Sequence, residues 1–303
     1  MGRKKMVIFY SSHAIINYFY MKKESLIFFC CLIALYANAQ INTLTQIFSK
    51  QIVLDTAKYK ITYQMKFPIV KGDSLNDDIR VILIGGHLVK DYSYKMFISD
   101  SLATQKVRRG ADSYKGLKGQ IFPYEIYNNY SAGHNLIVYR AILNMGNYQY
   151  EEPTPSINWK LSPDEHKAIL GYICNKATTT YAGRNYTAWY ALELPLNAGP
   201  FKFSGLPGLI MQVEESEHKY YWEIKGLEIV NYPIYYYTYT YPKLTKTTRE
   251  KTRALMDKIF ASPIVMYKLL TGYDTMYQNK DGSYRVAGKA DDHPIDYERI
   301  ERE

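Results

Sequence analysis

Apolar and polar residues alternate in run after run along this chain, and a turn signal follows almost every run. A period of two puts every second side chain on one face, which is the pattern of half-buried strands and excludes a helical bundle. Runs at 58–67, 79–85, 94–100, 119–130 and 134–143 come first, the last two joined by the hairpin loop 131–133. Next, 166–181 and 185–196 bracket Ala182-Gly183-Arg184, and 208–216 and 219–230 bracket Glu217-His218. Helix signals come late. Thr247 and Glu250 make a capping box, Leu255, Met256, Ile259 and Phe260 an apolar stripe, Ser262-Pro263 a second start and Gly272 a stop. The pattern predicts a mainly β (α+β) fold. It is a single curved antiparallel sheet or half-barrel with one or two C-terminal helices.

At 47% hydrophobic against 22% charged, the chain can bury a core. Residues 22–39 read as a signal peptide: Lys22 and Lys23, the apolar run 26–35, then Ala37-Asn38-Ala39 before a cleavage at Gln40. Met21 is the expected start. The run is shorter than the roughly 20 residues of a spanning helix, and no other stretch is longer, so no transmembrane segment is expected in the mature chain. Cleavage removes Cys30 and Cys31, leaves Cys174 alone and thus no disulfide, and lowers the net charge from +9 to +5. No basic stripe accompanies that charge, so no nucleic-acid partner is expected. The domains read as a leader (1–39), one β-rich unit (40–280) and a charged, flexible tail (281–303).

The stretch GPFKFSGLPGLI, residues 199–210, holds three glycines, two prolines and five large apolar residues. Phe201 and Phe203 alternate onto one side. Leu206-Pro207-Gly208-Leu209 fits a type II turn with Gly208 at positive φ, and Gly205 gives further turn freedom. The segment is a packed corner or the lip of an apolar cavity. In the second case Phe201, Phe203, Leu206, Pro207 and Leu209, with nearby Trp189, form a binding surface.

Together with INWKL (157–161), AILGYICNKA (168–177), GRNYTAWY (183–190) and LPLNAGPFKFSGLPGLIMQVEE (194–215), this stretch resembles the GLPGLI family. The resemblance covers roughly residues 150–230 and implies an exported protein of Bacteroidota type, periplasmic, outer-membrane associated or secreted. That family brings no established activity. Antiparallel strands with helices and a Gly-Leu-Pro corner are also similar to the half-barrels of bacterial lipoprotein carriers.

Catalytic motifs are missing: no G-x-S-x-G, no H-E-x-x-H and no phosphate loop. The histidines at 87, 134, 166, 218 and 293 lack ligand spacing, so no metal and no cofactor is expected. Cys174 alternates inward as a structural thiol, although Lys176 shares its strand face. The sequence therefore points to a non-enzymatic envelope module for an apolar or peptidic ligand or a partner protein. A hydrolase or thiol enzyme with a site assembled from distant residues is the rival, and a purely structural surface protein the third reading.

Overall fold

A computed structural model describes residues 6–7, 43–279 and 281–303. The leader, with Met21, Cys30, Cys31 and the cleavage site, lies outside the described residues. Two very long strands organise the rest: β1 (Phe48–Phe67) and, far along the chain, β11 (Tyr221–Tyr239), paired antiparallel. Ile61, Tyr63, Met65 and Phe67 are buried at alternate positions of β1, as the period of two requires. The register slips four times along the pair, at Ile224/Gly226, Ile229/Tyr232, Ile234/Tyr235 and Thr238/Tyr239. Each slip bends and twists a ribbon. One half of β1 thus lies in the main core, while Ala57 and Ile234 pack with Val81, Leu83 and Tyr127 in another.

A meander runs out on each side of this pair. One side carries β2 (Asn76–Ile84), β3 (Val89–Ser93), β4 (Tyr124–Ser131), β5 (His134–Arg140) and β6 (Asn147–Pro153). The other carries β10 (Leu209–Glu215), β9 (Arg184–Ala191), β8 (Tyr172–Tyr181) and β7 (Lys160–Ile169). With β12 (Leu244–Lys246) beside β6, the order is β12-β6-β5-β4-β3-β2-β1-β11-β10-β9-β8-β7. This one sheet curves without closing. It is mixed rather than purely antiparallel, because β12 runs parallel to β6. A separate small sheet joins Met6–Val7, Met276–Gln278 and Tyr284–Val286.

Among the described residues three α-helices complete the fold: α1 (Tyr94–Arg108), α2 (Arg249–Ala261) and α3 (Pro263–Thr271). The first corrects the strand expected at 94–100. Ser93 caps it, its Oγ accepting from the Met96 N–H at 3.2 Å, and Met96, Asp100, Ala103 and Thr104 bury at a spacing of three to four. The α2 cap is Thr248, one residue after the expected Thr247, and Gly272 ends α3 at φ 78° as expected. The run 166–181 is two strands, broken at Leu170-Gly171 with φ 51° and 84°.

The charged tail read as flexible is packed from Ile295 onward. The Ile295 N–H donates to Phe260 O (2.7 Å), Glu298 N–H to Ile69 O (2.9 Å) and Arg302 N–H to Ala182 O (2.9 Å). Glu298, Ile300 and Glu301 are buried.

Candidate functional site

The corner between β9 and β10 is interior. Phe201, Phe203, Leu206 and Leu209 are all at most 2% exposed. Phe203 meets Tyr186 edge-on at 4.8 Å and Trp222 at 5.7 Å, and Phe201 meets Phe122 at 6.0 Å. The arm of the sheet opposite the corner holds Phe201. Its N–H donates to Asp91 Oδ2 (2.7 Å), and its carbonyl accepts from Asn128 Nδ2 (3.0 Å). Asp91 is itself paired with Arg80 at 2.7 Å. Tyr63 of β1 adds a bond from its hydroxyl to Ile210 O (2.6 Å).

Of the binding set read from sequence, only Pro207 is exposed. Trp189 is half-buried, with Lys167 Nζ 5.5 Å from its ring centroid. The two glycines work differently from the type II turn expected. Gly205 carries the positive φ, 94°, whereas Gly208 does not. A Cβ on Gly208 would stand 2.1 Å from the Ala191 carbonyl oxygen, so close approach of backbones is what requires glycine there. Cys174 is fully buried and unpaired, and burial pushes its thiol up to about 11. Among the described residues no group of three or more His, Cys, Asp or Glu is placed to hold a metal ion.

The polar chemistry gathers instead where the tail crosses the sheet. Arg184 opens β9 with its side chain inward. It binds Glu298 of the tail through Nη2, donates from Nε to Ile300 O (2.9 Å), stands 3.6 Å from Glu215 and lies over the Tyr220 ring. Lys202, between the two corner phenylalanines, reaches Glu301 at 2.7 Å and Glu152 at 2.6 Å. Arg249 of α2 closes on Glu301 at 3.0 Å, and the Tyr181 hydroxyl donates to the same carboxylate at 3.1 Å. Lys219 holds the other oxygen of Glu298 at 2.9 Å.

Burial alone would raise both tail carboxyls. The surrounding cations outweigh it, Lys202 and Arg249 for Glu301 and Lys219 and Arg184 for Glu298, and hold both below the ordinary range. An open groove of about 930 Å³ runs beside the tail, its walls including Lys71, Lys219, Phe260 and Arg302.

Sequence reasoning reached Arg184 only as a hairpin residue and missed Lys202, Glu152, Arg249, Glu298 and Glu301. The available signal was Lys202, the one charged residue inside the apolar corner 199–210.

A second buried charge cluster lies under α1. Lys90 meets Glu125 at 2.7 Å, and Arg140 meets Asp100 at 2.5 Å. Tyr237 stacks on Phe48 at 4.2 Å, and Tyr239 lies under Arg140, so the tyrosine-rich strand end packs over these charges.

A family model described as a protein of unknown function (Porph_ging) matches residues 180–212, from the end of β8 through the corner into β10. Two solved structures of PNGF-II, in P21 and C2 space groups, are similar at 15% and 16% identity, each with a TM-score of 0.40. Each alignment covers 66% of this chain but 32% of PNGF-II, so the chain spans about a third of that protein. No curated protein matches.

Proposed function

We propose that this chain is a non-enzymatic binding module of the cell envelope, exported by its leader, whose inner groove holds an extended acidic peptide segment. Its own residues 294–303 are the occupant here. The observation that carries the reading is the way the tail is held. Backbone bonds to Ile69, Phe260 and Ala182 fix its path, and buried Arg184 and Lys202, with half-buried Arg249, converge on its two glutamates from three distant elements. Without those carboxylates Arg184 and Lys202 would be buried cations with only Glu215 at 3.6 Å and Glu152 at 2.6 Å beside them, which is costly. A groove built this way selects a peptide with two acids and an apolar residue between them, as Glu298, Ile300 and Glu301 provide. The high thiol value of Cys174 disfavours thiol chemistry.

The test uses a protein ending at His293 and a labelled peptide of residues 294–303. Micromolar binding, weakened tenfold or more when both glutamates are replaced by glutamine, is the expected result. A folded truncated protein that ignores the peptide would overturn the proposal.

A further inference from the structure

Apart from the tail groove, α1 is apolar on two faces. Met96 and Ala103 point into the core, while Tyr94, Ile98 and Leu102 follow one another every four residues along its outer side and lead to Lys106. Leu102 is 55% exposed, a large aliphatic side chain left to solvent. Residues 114–118 lie alongside, tied back by the Leu117 N–H donating to Thr45 Oγ1 at 2.7 Å, and Thr45 in turn bonds Ser99 of the helix at 2.6 Å. Between helix and loop runs a trough of about 480 Å³, within the size range of small-molecule sites and walled mostly by apolar surface.

Its charged lining is all of one sign. Lys95, Lys106, Lys115 and Lys118 line it, and no carboxylate does. Asp100, the acid of α1, is turned away into the core onto Arg140. Among the described residues Lys106, Lys115 and Lys118 make no ion pair, and Lys95 donates only to the Asp77 backbone carbonyl. Three unpaired ammonium groups around an apolar floor leave both attractions unmet: the apolar surface remains in water and the cations remain without partners.

We infer that this trough binds a single-chain anionic amphiphile, a long-chain carboxylate. Its hydrocarbon lies along Ile98, Leu102 and Leu117, and its head group sits among Lys106, Lys115 and Lys118. The site is separate from the tail groove, and no residue lines both.

The experiment titrates the full chain with a fluorescent anthroyloxy stearate and displaces it with palmitate, hexadecanol or hexadecyltrimethylammonium. Displacement by palmitate at least tenfold better than by either of the other two is expected. Leu102→Glu and the double change Lys106→Glu/Lys115→Glu should each weaken stearate binding tenfold or more, with the melting temperature unchanged because these side chains face solvent. Equal displacement by all three amphiphiles, or unaltered affinity in both variants, overturns the assignment. So does binding to phosphatidylglycerol vesicles without any binding of the dispersed stearate, which would make the patch a membrane-docking surface.

Discussion

The corner at 199–210 and the tail at 294–303 meet in the same interior and are held there by opposite means. The corner buries five large apolar side chains and fixes its backbone with Asp91, Asn128 and Tyr63. The tail buries two glutamates and fixes them with Arg184, Lys202, Lys219 and Arg249. Apolar burial depends little on pH or salt. Paired charge depends on pH through every carboxylate involved, and a peptide so held can be released by conditions that leave the corner intact. A corner that behaves as core and a tail that behaves as ligand are therefore separable by experiment.

The largest effect is expected at Gly208. Gly208→Val drives a side chain into the Ala191 carbonyl, 2.1 Å from where its Cβ must stand, and should cost about 4 kcal/mol or more, seen as a collapsed thermal transition. Leu209→Ala removes a fully buried side chain and should cost about 3–4 kcal/mol in a denaturant melt, equally at pH 4 and pH 7.

Glu301→Gln leaves Lys202 and Arg249 short of a carboxylate and should cost about 2–3 kcal/mol at pH 7. Its signature is the pH profile. Glu298 and Glu301 are held below the ordinary glutamate value of 4.5, so the unfolded chain takes up protons there before the folded one does. The stability they contribute is full above pH 4.5 and is lost as pH falls through the lower folded values. Glu301→Gln should shrink the gap between the pH 7 and pH 3 melts. A variant with the full wild-type acid loss breaks the comparison. The smallest effect is expected at Pro207, exposed at the turn, where a change to Ala should move stability by less than about 0.5 kcal/mol.

The strands were legible because alternation is a local property, and Ile61, Tyr63, Met65 and Phe67 show it plainly. So were α2 and α3, through their stripe, proline start and glycine stop. Helix α1 was not, because its two apolar faces, Met96 inside and Leu102 outside, blur into an alternation over 94–100. The corner could be placed, but not its glycine roles, since the contact between Gly208 and Ala191 is tertiary. The tail was illegible for a deeper reason. Charge reads as solvent exposure unless its partners are known, and the side chains that hydrogen-bond the carboxylates of Glu298 and Glu301 lie 52 to 120 residues away. No local pattern announces such pairs.

The central claim is that the charged segment 294–303 is fixed in place, with Glu298, Ile300 and Glu301 buried. Hydrogen exchange at neutral pH tests it most directly, read at the amides of Glu298 and Arg302, which donate to Ile69 and Ala182. The account predicts protection there approaching that of β1, and its loss at pH 3 while the β1 amides stay protected. Exchange of both amides at free-peptide rates at pH 7 would contradict it.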